Sequence, residues 1–148
     1  MTITGTGLDA LLEDRSQEYR ARVHHRLATE RVVWFTTVNA RGVAAPNPVW
    51  FYWDGTRIVV AHDNRAHRLT HLRRNSDVVL HFDCGSFGRD IVVMEGKADL
   101  AATPDSGPDT GYLEKYRQPI DEMFGGVEAF LQSHRALTFI QPTRLRGW

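Results

Sequence analysis

The 148-residue sequence contains one cysteine, Cys84, which therefore has no partner for an internal disulfide bond. This cysteine usage is typical of a reducing compartment, so we expect a cytoplasmic location. The sequence also lacks any apolar run of the roughly 18 residues that a membrane span needs. Its first residues, with Asp9, Glu13 and Asp14, lack the apolar core of a signal peptide. These absences argue against a membrane partner.

Net charge is absent as well, because 18 basic and 18 acidic residues cancel. A dedicated nucleic-acid-binding protein carries a basic excess, so nucleic acid is not an expected partner. Lysine is scarce, since Lys97 and Lys115 are the only two and the other basic residues are arginine. Two explanations remain open for this bias. A GC-rich genome produces it without any function, and planar guanidinium groups bind anions in a bidentate way that lysine cannot imitate.

What the sequence does contain is the composition of a globular domain, with 42% apolar and 24% charged residues. Its length fits a single domain spanning residues 1–148. Apolar residues such as Leu12, Tyr19 and Val23 recur at three- and four-residue steps between residues 7 and 29. This spacing predicts an N-terminal helical segment within residues 1–29.

Beyond residue 31 the pattern changes to β-branched and aromatic residues, which favour strands. Asp54-Gly55 is a strong hairpin signal. Pro46 and Pro48 lack amide donors, so the strand that contains them lies at a sheet edge or has a bulge. Strands are predicted at 32–38, 43–53, 56–62, 78–83, 89–101 and 136–141, and helices at 64–75, 110–117 and 120–133. We therefore predict a mainly β fold with flanking helices, a six-stranded closed or split β-barrel.

The densest polar cluster, which we name the basic segment, covers residues 65–74 and holds arginines and histidines but no acid. A phosphate at the start of its predicted helix would receive hydrogen bonds from Arg65, His67 or Arg68. A solvated basic surface explains the cluster equally well. His67 and His71 have a metal-ligand spacing, but no third ligand accompanies them and the arginines repel cations, so no metal is expected.

Motifs for common catalytic machinery are missing. The sequence has no G-x-S-x-G, no Walker A and no G-x-G-x-x-G motif. If the protein is an enzyme, a bound cofactor therefore carries the reactive chemistry. Aromatic residues such as Trp34, Trp50 and Trp53 suit a site for a flat ring, although core packing also accounts for them.

Several motifs together resemble a known family. They are, in order, Pro48-Val49-Trp50-Phe51, Asp54-Gly55, the basic segment with Asn75, residues 78–82, Val93-Met94-Glu95-Gly96-Lys97-Ala98 and the ending at 138–148. This ordered set is similar to the pyridoxamine 5′-phosphate oxidase-like split-barrel flavoproteins. More narrowly, it resembles their actinobacterial branch, which uses the deazaflavin coenzyme F420. The resemblance covers residues 31–148.

The resemblance implies an FMN-binding-like split barrel that forms a homodimer, with two cofactor sites at the subunit interface. Arg68, three residues before His71-Leu72, takes the place of the family's phosphate-binding cation, and Arg65 and His67 lie where further phosphate partners are expected. The cofactor ring is expected against two strands. The residues there are Pro48, Val49 and Trp50 of one strand and Val60, Ala61 and His62 of the other.

The implied activity is an oxidoreductase that transfers a hydride between F420 and a small organic substrate. The cations Arg65, Arg73 and Arg74 would suit the long anionic tail of F420. Two alternatives stay open: an FMN-dependent enzyme of the same fold, and a protein that binds a cofactor or haem without turnover. No catalytic residue is assigned. His62 is a candidate proton donor, and solvent is an equal alternative.

Overall fold

The computed structural model describes residues 7–100 and 107–148 and has one antiparallel sheet flanked by helices. In chain order its elements are α1 Leu8–Leu12, α2 Gln17–Thr29, β1 Val33–Val38, β2 Ala44–Val49, β3 Tyr52–Trp53, β4 Ile58–His62, α3 His67–Arg74, β5 Asp77–His81, β6 Val92–Asp99, α4 Thr110–Lys115, α5 Arg117–Phe124, α6 Val127–Ser133 and β7 Ala136–Gly147. No helix within the described ranges has both the length and the apolar composition that crossing a membrane requires.

The sheet has the strand order β2-β1-β5-β6-β7-β4-β3, so β2 and β3 form its two edges. Only Trp50 and Phe51 separate these two strands along the chain. Two residues span a few ångströms, so the sheet must curl until its edges meet at this corner. The result is a half-barrel, which confirms the predicted mainly β fold with flanking helices.

The prediction of six strands was wrong, because the described residues form seven. The predicted strand at 43–53 is broken at Trp50-Phe51, and its two parts lie at opposite edges of the sheet. Pro46 and Pro48 lie in β2, opposite Thr36 and Trp34 of β1. Because β2 is an edge strand with one neighbour, it tolerates residues that lack an amide donor. A continuous pattern of strand-forming residues gave no indication of this break.

The last strand is longer than predicted, because β7 continues past residue 141 to Gly147 and pairs with β6 over that length. A register shift between Glu95 and Gly96 admits the extra residue of β7. A Cβ on Gly96 would lie 2.7 Å from Ile140 Cγ2 and 2.9 Å from the Gln141 carbonyl oxygen. Glycine therefore allows the two strands to approach closely at the bulge.

The core consists of two clusters, one on each side of β4. Ile58 and Val60 point into the barrel, where they join Phe35, Phe51 and other side chains of the first cluster. Val59 and Ala61 point outward and pack under helices α4–α6. The second cluster contains Val59, Ala61, Tyr112, Tyr116, Ile120, Phe130 and Leu137. Every residue of β4 is therefore buried, unlike the alternating strands β1 and β5.

The N-terminal helices hold the C-terminal end of β7 in place. The Tyr19 hydroxyl donates to the Ile91 carbonyl at 2.9 Å, and Arg22 donates to the Trp148 carbonyl at 2.8 Å. Arg15 donates to the Gly147 carbonyl. Gly147 has φ +149, and a Cβ there would collide with the Ile91 carbonyl and the Tyr19 hydroxyl. The close contact of α2 with this strand end thus depends on a residue without a side chain.

We predict that Gly147→Ala lowers the free energy of unfolding by about 1–3 kcal/mol, because the added methyl group overpacks the contact with Ile91. Urea denaturation measures the loss. Gly55→Ala is the matched control, since Gly55 also has a positive φ, +96, but has open space around it. This control is expected to show the smaller loss, and equal losses would contradict the collision.

Candidate functional site

A cavity of about 220 Å³ lies where the end of β2, β4 and α3 meet the helices α4–α6. The sheet and α3 contribute one side, and the helices contribute the other. Its lining residues are Pro48, Val49, Trp50, Ala61, Arg68, Tyr112, Met123, Phe124, Phe130 and His134. Most of these side chains are apolar or aromatic, which is the usual lining of a site for a small organic molecule.

Stacked rings form the helical wall of the cavity. Trp50 stacks on Tyr116 with ring centroids 4.7 Å apart and planes 4° from parallel. Phe130 stacks on His134 at 4.7 Å and 14°, and Phe124 packs edge-on against Phe130 at 5.1 Å. Such offset and edge-to-face contacts stabilise each ring in one orientation. The wall is therefore a fixed aromatic surface.

The break between β2 and β3 directs Trp50 into this cavity. The Phe51 amide donates to the Tyr116 hydroxyl at 2.9 Å, and that hydroxyl lies 2.7 Å from both the Arg31 and the Phe51 carbonyl oxygens. The Lys115 ammonium also donates to the Phe51 carbonyl, at 2.9 Å. Because these side chains satisfy the Phe51 backbone, the chain can leave the ladder here, with Phe51 in the core and Trp50 outside.

Arg68 is the cation of the cavity, and a buried histidine holds it. Its Nε donates to His62 Nδ1 at 2.8 Å, and His62 Nε2 lies 2.6 Å from Thr138 Oγ1. A guanidinium only donates, so His62 Nδ1 accepts and the ring proton lies on Nε2, which donates to Thr138. Within residues 7–100 and 107–148, the terminal nitrogens of Arg68 make no ion pair or hydrogen bond.

Burial, together with the charges of Arg68 and His134, lowers the pKa of His62 to about 3. His62 is therefore neutral at physiological pH, and both of its ring nitrogens are already hydrogen bonded. This arrangement does not suit a proton donor for a substrate, so the geometry gives no support to that suggested role. Its position supports Arg68 instead.

The predicted site residues fall into three groups: residues that line the cavity, a residue behind it, and residues that lie elsewhere. Pro48, Val49, Trp50, Ala61 and Arg68 line the cavity together, and His62 lies behind Arg68.

The other predicted residues lie elsewhere. The side chain of Val60 points into the barrel core. The side chain of Arg65 is 93% exposed and lies 3.8 Å from an Asp63 oxygen. His67 lies on another face of α3, in a different pocket. Whether these residues contact a cofactor stays a prediction.

Sequence reasoning missed the helical half of the cavity, namely Tyr112, Met123, Phe124, Phe130 and His134. The one sequence pattern that could have indicated these residues is the recurrence of aromatic residues in the predicted helices. Nothing local, however, indicates that these helices pack on β4 rather than elsewhere on the sheet.

The family model for pyridoxamine 5′-phosphate oxidase matches residues 17–146, which is most of the chain. The chain belongs to this family. No curated protein matches it.

Solved structures share the fold of this pyridoxamine 5′-phosphate oxidase family member at low identity. An F420 reductase superimposes with a TM-score of 0.61 at 16% identity, covering 83% of this chain and 94% of its own. A protein from Listeria innocua that is assigned to the pyridoxamine 5′-phosphate oxidases superimposes with a TM-score of 0.59 at 19% identity, and the match covers 85% of this chain and 94% of its own. HutZ, a haem storage protein from Vibrio cholerae, superimposes with a TM-score of 0.54 at 14% identity, and the match covers 86% of this chain and 90% of its own.

Members of the pyridoxamine 5′-phosphate oxidase family typically bind flavin-like cofactors. The cavity fits such a group, because its aromatic walls suit a flat ring and Arg68 has unpaired donors for an anionic substituent. Nowhere in the described part of the chain do three or more histidine, cysteine or acidic side chains cluster to hold a metal ion.

We predict that His62 makes the protein less stable in acid. Below pH 6.5 the unfolded chain protonates this residue, whereas the folded protein does not until about pH 3. The unfolded state then binds more protons. The contribution of His62 to the free energy of unfolding therefore falls by up to about 1.4 kcal/mol per pH unit as the pH drops below 6.5. The pH dependence of unfolding in urea, compared between wild type and His62→Gln, measures it.

The variant is expected to show the shallower slope between pH 6 and 4, whatever its absolute stability. A second readout needs no variant: the His62 ring resonances of the folded protein should not titrate between pH 8 and 5. A midpoint near 6.5 would contradict the neutral, doubly hydrogen-bonded ring.

Proposed function

We propose that the protein is an oxidoreductase that binds the deazaflavin coenzyme F420 in the aromatic cavity and acts on a small organic substrate. The observation that carries this proposal is the half-buried guanidinium of Arg68, whose terminal donors are unpaired at the edge of an apolar cavity. Burial lowers the pKa of Arg68 and the charge of Asp63 offsets this only in part, so a cavity built in this way favours an anionic ligand with a ring.

In this proposal Arg68 binds the phosphate, and Pro48, Val49, Trp50 and Ala61 contact the ring. Neutral His62 orients the guanidinium of Arg68 without adding a charge. When bound, F420 supplies a ring carbon that donates or accepts a hydride. The rings of α4–α6 exclude water from that reaction, and solvent supplies any proton that the substrate needs.

FMN is the alternative cofactor, and the surroundings of the cavity favour F420. The tail of F420 carries more negative charge than the ribityl phosphate of FMN. Arg65 and Arg73 are exposed cations of the basic segment that contains Arg68, and they are the candidates to bind this tail. The similarity to an F420 reductase supports the fold that this chemistry requires, at an identity too low to transfer the activity.

Haem binding is a second candidate, and one residue favours it. His134 lines the cavity, and its Nδ1 lies 2.7 Å from Ser133 Oγ, so Nε2 is the nitrogen left for a ligand. Burial lowers the pKa of His134, which keeps the ring neutral and able to coordinate iron. HutZ, with a similar fold, is a haem storage protein.

We predict that Arg68→Ala weakens F420 binding by about 1.5–3 kcal/mol, because the charge-assisted bonds to the cofactor phosphate are lost. Fluorescence titrations of the purified protein with F420 and, side by side, with FMN measure the loss. Arg20→Ala is the matched control, since Arg20 is an exposed arginine of α2. Arg68→Lys keeps the charge and is expected to retain part of the affinity.

Unchanged F420 affinity in a folded Arg68→Ala protein would refute the site. Tighter binding of FMN than of F420 would overturn the cofactor assignment. A Soret band on addition of haem, lost in His134→Ala, together with no binding of either flavin-type cofactor, would favour the haem candidate.

We also infer a homodimer with the cavity near the subunit interface. The outward residues of neighbouring strands, Trp34, Thr36, Val79 and His81, pair across β1 and β5 and are only half-buried. Trp34 stacks on His81 at 6.2 Å and 10°. Pro48 faces Trp34 and also lines the cavity. A partner packed on this face would therefore reach the edge of the cavity.

We predict that Val79→Arg converts the dimer to a monomer, because an arginine in the centre of this face would have to be buried without a counter-charge when the two subunits pack together. Light scattering after size-exclusion chromatography gives the mass. Val43→Arg introduces the same charge at a valine that is 51% exposed in the turn between β1 and β2, and it is expected to remain dimeric. A monomeric wild-type protein would refute the inference.

A further inference from the structure

A second pocket, of about 260 Å³, lies between α3 and the turn that joins β1 to β2. The turn contributes Asn39 and Arg41. Helix α3 contributes His67, Thr70, His71 and Arg74, which follow the three- and four-residue spacing of one helix face. Arg68 lies on a different face of α3 and lines the aromatic cavity instead. The basic segment is thus divided between two pockets.

Asn39 lies in the turn that lines this second pocket. Its Oδ1 accepts hydrogen bonds from the Arg41 amide at 2.9 Å and the Val43 amide at 3.0 Å, which fix the turn. The oxygen is therefore occupied, and Nδ2 with its two protons is the group that remains.

His71 is also a donor in its neutral form. Its Nδ1 lies 2.9 Å from the hydroxyl of Thr37, which is fully buried. That hydroxyl has no other hydrogen-bond acceptor among residues 7–100 and 107–148, so it donates to Nδ1 and the ring proton lies on Nε2.

No carboxylate lines the second pocket. In the part of the chain that the structure describes, Arg41 and Arg74 form no ion pair with an acid. The residues that line the pocket therefore carry two guanidinium groups, an amide nitrogen, a histidine N–H and the Thr70 hydroxyl, so donors dominate. Such a set matches the acceptor oxygens of an anion and repels a cation.

We propose that this second pocket binds a small multivalent oxyanion of the pyrophosphate type. The turn and the helix supply guanidinium groups from opposite sides, so an anion with two charged ends engages both. The site does not depend on the proposed cofactor function, because the aromatic cavity and its Arg68 lie on another face of α3.

Isothermal titration with inorganic pyrophosphate at neutral pH and low ionic strength tests the proposal. The titration is done on wild type and in an Arg68→Ala background, so that the aromatic cavity does not contribute. Binding is expected in both. Arg74→Ala is expected to weaken it about tenfold, which corresponds to about 1.4 kcal/mol. Arg73→Ala removes the same charge from an exposed neighbour outside the pocket and is expected to change affinity less than twofold.

Asn39→Asp is the sharper variant. An aspartate keeps the oxygen that accepts from the Arg41 and Val43 amides, so the turn is preserved, but a negative oxygen replaces the donor in the pocket. Loss of detectable pyrophosphate binding with an unchanged melting temperature is expected.

An equal loss of pyrophosphate affinity in Arg73→Ala and Arg74→Ala would show that binding depends on the overall positive charge of the helix and not on this pocket, and it would overturn the proposal. Loss in Arg68→Ala would move it to the aromatic cavity. No binding by the wild type, or binding of single-stranded oligonucleotide with no pyrophosphate binding, would overturn the proposal.

Discussion

The hydroxyl of Tyr116 fixes the point at which the chain passes from one edge of the sheet to the other. It accepts from the Phe51 amide and lies 2.7 Å from the Arg31 carbonyl, so the backbone at the break needs no neighbouring strand. The two-residue link that it stabilises sets the curl of the sheet, because β2 and β3 must meet there. The same ring stacks on Trp50. Closure of the barrel and the shape of the cavity wall thus depend on one tyrosine at the end of α4.

The helices α4–α6 create the cavity by covering a surface that would otherwise face water. They bury the outward side of β4, whereas His62 lies on its barrel side, against Thr138 and Phe35, and burial there lowers the pKa of His62 to about 3. A protonated histidine would repel Arg68, whereas the neutral ring accepts its Nε–H at 2.8 Å. The barrel interior and the retained cation are therefore linked. Burial keeps His62 an acceptor, and the acceptor holds Arg68 with its terminal donors toward the cavity.

Local patterns in the sequence predict most of the elements, because burial alternation and turn residues act over a few positions. They miss the break at Trp50-Phe51, since its hydrogen-bond partner Tyr116 lies 65 residues away. They also miss the second half of β7, since Pro142 marks a strand end unless a bulge at Gly96 receives it. For the site, the resemblance to the flavoprotein family brings Pro48, Trp50 and Arg68 into one prediction, but the sequence cannot place the helices that enclose them.

Helix α3 shows that a chain without net charge can still carry local groups of positive charge. Seven of its eight residues divide among three surroundings. Leu69 and Leu72 are buried, Arg68 lines the aromatic cavity, and the second pocket is lined by His67, Thr70, His71 and Arg74. The chain as a whole is neutral, yet neither pocket contains a carboxylate. Screening by water and salt confines each group of charges to its own neighbourhood. An anion therefore responds to the few donors within reach, and a helix of two turns is enough to present two separate sets.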